Sequence, residues 1–280
     1  MSPVAILGPG LIGGSLGLSL QRQNPSTEVR VWARREASLE TVRKLGFARE
    51  AGSDLAKIVS GAHCIVLCTP VETMPELARS IADALDPTAA VTDAGSVKGP
   101  VVTACEALLG GRFVGAHPIA GSDRTGIDAA HSGLYDGATC VVTPTPLTLP
   151  SALETVRQLW KTAGCHVVEM PPAAHDAALA RTSHLPHAVT SALAAAVARS
   201  VPDWENLIGS GFRDSTRIAM GDSDLWTGIL MANRAEISTS IAELCEILQN
   251  IRKALDAGDA AAIRSLLAEG RTARKKLDAI

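Results

Sequence analysis

The sequence predicts an α/β protein, a doubly wound parallel sheet followed by an all-helical second domain, and three observations carry that prediction. Short β-branched runs recur through the first part of the chain. A glycine triplet stands where the first of these runs gives way to a helix. Strand-like runs then cease beyond Pro171-Pro172.

The runs at 4–7 (VAIL), 29–32 (VRVW), 65–67 (IVL) and 90–92 (AVT) are short, with helix-like periods between them at 14–21, 36–45 and 74–85. Such alternation marks parallel strands buried on both faces by their crossover helices. Runs at 114–115, 140–142 and 166–169 extend the sheet, with a Pro-rich connection at 143–150. From residue 173 the pattern is helical, with an Ala-rich stretch at 190–199 and one long period at 229–255. The boundary therefore falls between a sheet domain of 1–171 and a helical domain of 172–280.

A chain of 280 residues is long enough for two cores. Its net charge of -3 lacks the basic excess that a phosphate backbone requires, and 3% aromatic residues leave few rings for base stacking, so nucleic acid is excluded as a partner. The apolar stretches at 64–68 and 189–198 fall far short of the ~20 residues that span a bilayer, so no membrane is expected either. No basic and apolar leader precedes Val4, and the cysteines are scattered without a C-x-x-C pair. A cytoplasmic, reducing location is expected, with the thiols as small buried hydrophobes.

Gly8-Pro9-Gly10-Leu11-Ile12-Gly13 directly follows the first strand and runs into a helix, the context that makes G-x-G-x-x-G a dinucleotide fingerprint of the Rossmann type. Gly8 permits the tight turn, Gly10 lets backbone N–H groups approach the pyrophosphate, and Gly13 lets the helix close on the strand. Leu11 and Ile12 open the helix whose N-terminus meets the anion. Thr69 and Pro70, just past the third run, fall on the same cofactor side. An acid at the end of the second strand would hold the ribose 2′-hydroxyl of NAD, but the chain has Arg34-Arg35 there. Two guanidiniums suit a 2′-phosphate, so NADP is favoured over NAD. Two other readings leave the arginines solvated at a strand end, or stack one of them on the adenine.

Segments 92–99 (TDAGSVKG) and 115–121 (GAHPIAG) both leave the carboxyl edge of the predicted sheet, where open α/β sheets bind ligands. A lone loop histidine is ordinarily a surface hydrogen-bonding group. Placed between glycine-flanked loops beside a nicotinamide site, His117 is instead a candidate for proton chemistry. In the helical part His175, His184 and His187 lie close in sequence, the last two on one face of a helix. His-x-x-His without paired cysteines or a nearby carboxylate fits zinc spacings poorly, and no metal is expected. Arg217, in the segment 209–217 (GSGFRDSTR), has the fork to clamp a substrate carboxylate.

With segments 8–18 (GPGLIGGSLGL), 92–99 (TDAGSVKG), 115–121 (GAHPIAG), 183–188 (SHLPHA) and 211–219 (GFRDSTRIA), the sequence closely resembles the prephenate/arogenate dehydrogenase family of tyrosine biosynthesis. The resemblance covers nearly the whole chain. It implies NAD(P)-dependent oxidative decarboxylation of a cyclohexadienol: hydride leaves the ring carbon bearing the hydroxyl, the ring carboxylate departs as CO₂, and the ring aromatises. It implies further that His117 accepts a hydrogen bond or proton from the ring hydroxyl and that Ser96, beside the cofactor, shares that hydroxyl. Arg217 would bind a substrate carboxylate and His187 would stand on the substrate side. His184, His175, Asp214 and Trp226 would line or support the pocket.

Ser122-Asp123 follows the His117 segment where relatives carry varied pairs. Prephenate has a side-chain ketone and arogenate an ammonium, so a carboxylate at Asp123 favours arogenate by charge pairing. As a gate or a helix cap the same residue would carry no selectivity. The 229–255 period offers more apolar faces than a short bundle buries, so a homodimer joined through the helical domain is expected. A β-hydroxyacid dehydrogenase or pyrroline carboxylate reductase shares the same order of domains. The hydroxyacid enzymes, however, use a lysine on the first helix of the second domain, and 175–187 contains none. A non-catalytic NADP-binding module would require His117, Ser96 and Arg217 all to be incidental.

Overall fold

Val4–Leu7 (β1), Val29–Trp32 (β2), Glu50–Gly52 (β3), Cys64–Leu67 (β4), Ala90–Asp93 (β5), Phe113–Pro118 (β6), Thr139–Thr143 (β7) and His166–Glu169 (β8) make one sheet in the order β3-β2-β1-β4-β5-β6-β7-β8. The computed structural model describes residues 2–122, 124–200 and 202–277. They divide into two compact units, 1–233 and 234–280.

β1 pairs in parallel with β2 on one side and β4 on the other, and all four of its residues are buried. Its alternation feeds two cores. Val4 and Ile6 pack with Leu16 and Leu20 of Leu11–Gln23 (α1) and with Val156, Leu159 and Trp160 of Pro150–Ala163 (α6). Ala5 and Leu7 pack with Ile58 of Leu55–Val59 (α3), Met74 and Leu77 of Met74–Ile81 (α4), and Val101 and Cys105 of Gly99–Leu109 (α5). Each fully buried Val, Leu or Ile contributes about 1.5–3 kcal/mol, so burial on both faces holds the sheet centre. The chain leaves β1 toward β2 and β3, then returns to place β4 on the other flank. This reversal opens a crevice at the carboxyl ends of β1 and β4, directly after Leu7 and Leu67.

The expected sheet was all parallel, and it differs at one junction: β7 runs antiparallel to β6, with His117 opposite Val141. A parallel neighbour needs a crossover of a dozen or more residues, usually a helix. The described residues of 119–138 contain no helix beyond a single 3₁₀ turn, Ile127–Ala129, so β7 starts at the edge where β6 ends and runs back. β3 was not anticipated, since its three half-buried residues, EAG, include no β-branched side chain. Pro150, read as part of a connection, is instead the first residue of α6, where its missing N–H costs nothing.

Pro172–Leu179 (α7), a π turn at Ala180–His184, Leu185–Ser200 (α8), Ser210–Thr216 (α9) and Ser223–Ala232 (α10) complete the first unit, after Glu36–Leu45 (α2) in the sheet region. The period expected to run unbroken over 229–255 stops at Asn233, whose backbone leaves the helical region. The second unit is a helical hairpin, Arg234–Asp256 (α11) and Ala260–Leu277 (α12). Gly258 turns the chain at φ +65°, and Asp259 accepts from the N–H groups of Ala261 (3.1 Å) and Ala262 (2.9 Å) to cap α12. No helix among the described residues is long and apolar enough to cross a membrane.

Candidate active site

The fingerprint lies in the crevice after β1. Gly8 takes φ +101°, which strains any residue with a Cβ, and its N–H donates to the Trp32 carbonyl at 3.0 Å. A Cβ on Gly13 would stand 2.4 Å from the Gly8 carbonyl oxygen, so only glycine lets α1 approach the turn this closely. At Gly10 a Cβ would meet no atom within 4 Å, and no side chain caps the N-terminus of α1 or puts an acid in its first turn. The opening residues Leu11 and Ile12 are half-buried, and the Ile12 carbonyl accepts from the Tyr135 hydroxyl at 2.7 Å. Thr69, leading into Pro70, flanks Gly8: a Cβ there would stand 2.9 Å from its methyl group. Arg34 and Arg35 are exposed, and their side chains make no hydrogen bond or ion pair among the described residues. The neighbouring acid, Glu36, is taken by Arg43 at 2.6 Å. An open helix N-terminus behind a glycine turn, with two unpaired guanidiniums at the next strand end, fits a dinucleotide.

A second group of polar side chains lies one strand beyond that crevice. Asp93 ends β5, and its carboxylate accepts from the N–H groups of Gly95 (2.8 Å) and Ala116 (3.0 Å). The Lys98 ammonium donates to Asp93 and to the Ala116 carbonyl (2.8 Å), and both Lys98 and Asp93 are fully buried. Such a pair offsets its desolvation only when its remaining donors and acceptors are satisfied, as they largely are here. It clamps the 93–98 loop to the residue before His117.

Asp176, on α7, accepts from the backbone N–H groups of Lys98 and Gly99, both at 2.7 Å, and so caps α5 from another element. His175 Nδ1 is 2.7 Å from the same carboxylate, and His117 Nδ1 is 2.8 Å from His175 Nε2. Asn233 donates from Nδ2 to the Asp176 carbonyl at 2.9 Å, and that nitrogen lies 3.2 Å from His184 Nδ1. His187 stacks on Trp226 with ring centroids 3.6 Å apart, and His184 meets the same indole edge-on at 6.3 Å. Among the described residues, the ring nitrogen His187 Nδ1 is buried without a hydrogen-bond partner.

Burial first, then His175, Lys98 and His184, hold His117 well below the ordinary imidazole value of 6.5. Burial pushes His184 down to about 4 and lowers His187 as well. Burial works to raise Asp176, but hydrogen bonds from His175, Lys98 and Gly99 outweigh it and keep the carboxyl below its usual range. His117, His184 and His187 are therefore held toward the neutral form, near an anchored carboxylate.

The structure brings His117, His175, His184, His187 and Trp226 into one connected cluster, with half-buried Ser96 in the adjoining loop. His117 was expected in a loop after a strand. It lies within β6 and is 9% exposed, because the antiparallel pairing with β7 extends the strand past it. Asp214 and Arg217 are exposed, Arg217 opening the 3₁₀ turn Arg217–Met220 that packs on α8, and neither side chain makes a hydrogen bond or ion pair among the described residues. Ser122 is exposed and accepts from the Arg124 N–H at 3.1 Å, while Asp123 lies outside the described residues. Asp93, Lys98, Asp176 and Asn233 were not singled out from the sequence. Asp93 and Lys98 stood inside TDAGSVKG, and Asp176 stood next to His175. Asn233 was legible only as a polar residue interrupting an apolar period.

The model for the nucleotide-binding domain of prephenate dehydrogenase matches residues 16–169, and that for its dimerization domain matches residues 171–269. Prephenate dehydrogenase of Bacillus subtilis is 32% identical over 266 residues, 92% of this chain and 71% of the relative. The structure of prephenate dehydrogenase from A. aeolicus in complex with hydroxyphenyl propionate and NAD+ is similar with a TM-score of 0.94 at 31% identity, covering 99% of this chain and 98% of that one. Synechocystis arogenate dehydrogenase gives a TM-score of 0.85 at 32% identity, over 98% and 99% of the two chains. Matched by both models across most of its length, with its buried imidazole cluster between the regions they cover, this chain is an oxidoreductase that belongs to the prephenate dehydrogenase family.

Proposed function

We propose that the protein is a cytoplasmic prephenate or arogenate dehydrogenase of tyrosine biosynthesis, with a nucleotide-binding domain over 1–171 and a helical domain for substrate and dimerisation over 172–280. The observation that carries this reading is His117. It is a buried neutral imidazole near the carboxyl end of β6, tied through Nδ1 to His175, with Nε2 as the nitrogen left to take a proton. A bound nicotinamide supplies the hydride acceptor. The chain's own groups do the rest: His117 takes the proton of the ring hydroxyl as its carbon gives up hydride, and Ser96 shares that hydroxyl. Arg217 binds a substrate carboxylate, and His187 stacked on Trp226 borders the ring, with His184 behind it. As the ring carboxylate leaves as CO₂, its bonding pair enters the ring and completes the aromatic product. The test is NADH and NADPH formation by the purified protein with prephenate and with arogenate. No turnover in any of the four combinations would refute the assignment.

The cofactor reading is NADP before NAD, carried by Arg34 and Arg35. Replacing both with neutral residues is expected to raise KM for NADP and leave KM for NAD nearly unchanged, since only contacts to the 2′-phosphate are lost. Equal penalties on both would point to stacking on the adenine.

The substrate reading assigns Asp123 to the ammonium of arogenate. Asp123→Asn keeps the shape and removes the charge, so kcat/KM for arogenate is expected to fall about 10-fold, equivalent to ~1.4 kcal/mol, while that for prephenate holds or rises. An unchanged ratio of the two constants would leave the residue a capping role.

A homodimer is expected through the helical hairpin of α11 and α12, where Ile247, Leu248, Leu255 and Leu267 are exposed. The match to a family dimerization domain supports it. Light scattering that finds a monomer at assay concentration would remove this assignment.

A further inference from the structure

We propose that His175 and Asp176 are positioning residues that fix which nitrogen of His117 carries its proton, so that His117 meets the substrate hydroxyl with a bare Nε2. The inference rests on the reading of His117 as an acceptor and says what makes it one.

The chain of donors starts at the N-terminus of α5. Asp176 receives the Lys98 N–H on Oδ1 and the Gly99 N–H on Oδ2, both at 2.7 Å. A peptide N–H can only donate, so both carboxylate oxygens are engaged as acceptors. Oδ1 also lies 2.7 Å from His175 Nδ1, and the hydrogen of that contact must come from the imidazole. A neutral His175 with its proton on Nδ1 has an unprotonated Nε2. His117 Nδ1 stands 2.8 Å from it, and the hydrogen between them belongs to His117. Nε2 of His117 is then bare.

Two peptide groups thus set the polarity of an atom three residues removed along the hydrogen-bond chain. Burial keeps the order in place: His175 is fully buried and the two rings meet edge-on at 5.1 Å. The opposite tautomer would present an N–H to a hydroxyl that has to give up its own proton. In a hydrolytic triad the wrong tautomer lowers kcat by up to about 10⁴-fold, which sets the scale.

The test is two-bond ¹⁵N–¹H correlation spectroscopy of the ¹⁵N-histidine-labelled full chain near neutral pH, with the His117 signals assigned by their loss in His117→Asn. The expected spectrum shows His117 protonated on Nδ1 and bare on Nε2, with His175 protonated on Nδ1 alone. A wild-type His117 protonated on Nε2, or a His175 carrying both protons and so reversing the chain, overturns the proposal without recourse to any variant. His175→Phe keeps the ring and removes both nitrogens. It is expected to move the His117 proton toward Nε2 and to lower kcat by about 10-fold or more with KM within ~2-fold. His175→Gln, whose Oε1 can accept where Nε2 did, is expected to restore the Nδ1–H signature and most of the lost kcat. A folded His175→Phe that keeps both the signature and the turnover also overturns the proposal. The underlying reading fails separately, if His117→Asn turns over normally whatever the spectrum shows.

Discussion

Replacing His117 with Asn is expected to lower kcat by about 10²–10⁴ while leaving dinucleotide affinity unchanged. Asn fills a similar volume and offers a hydrogen bond, but its side chain cannot take up a proton at neutral pH. The dinucleotide affinity should survive because the fingerprint belongs to β1 and α1, and His117 makes no bond to them. Steady-state kinetics with a cofactor-binding titration checks both halves, and near-normal kcat removes His117 from the mechanism. A pH profile of the unaltered protein adds a second check. His117 sits well below 6.5 through burial and its neighbours, so the base form persists as pH falls past that value. The acid limb of kcat/KM is therefore expected below pH 6.5, not at it.

Lys98→Met is expected to destabilise the first unit by about 3–5 kcal/mol, because it leaves Asp93 buried and charged with no cation. For a unit of this size that amounts to a fall in Tm of roughly 6–20 °C. Adding Asp93→Asn to the same chain removes the stranded charge and should recover part of the loss, though one amide oxygen cannot serve both backbone donors that the carboxylate serves. Thermal unfolding of the single and double variants separates the charge from the packing. A single variant within about 2 °C of the unaltered protein would show that the pair contributes little.

The sheet was legible where burial is two-sided. VAIL at β1 and CIVL at β4 admit no wet face, and both strands appear where those runs lie. The glycine turn was legible because φ at Gly8 and the space at Gly13 tolerate no other residue, so backbone geometry wrote itself directly into residue type. β3 was not, because its pairing with β2 supplies the backbone bonds and its side chains carry no pattern. The direction of β7 depends on what the 119–138 connection lacks, and composition registers such an absence poorly. Within the site, histidines drew notice by their chemistry. Asp93, Lys98 and Asp176 did not, because charged residues are ordinarily solvated, and only the fold shows these three withdrawn from water. Asn233 is a like case: in sequence a polar residue inside a period expected to run unbroken, and in space the donor that ties Asp176 to His184.

Asp176 has a consequence for how such a protein can be divided or recombined. It lies on α7, beyond the end of the sheet, yet it caps a helix of the sheet region and reaches the imidazole on β6 through its neighbour. A fragment cut at 171 would keep every fingerprint residue but surrender the acceptor for two peptide groups of α5 and the partner of His117. The nucleotide-binding segment is therefore not a self-sufficient cassette. Grafted onto a different helical partner it would carry the glycine turn along but leave the Asp176 and His175 contacts behind, unless the new partner brought an acidic residue and an imidazole to the same place.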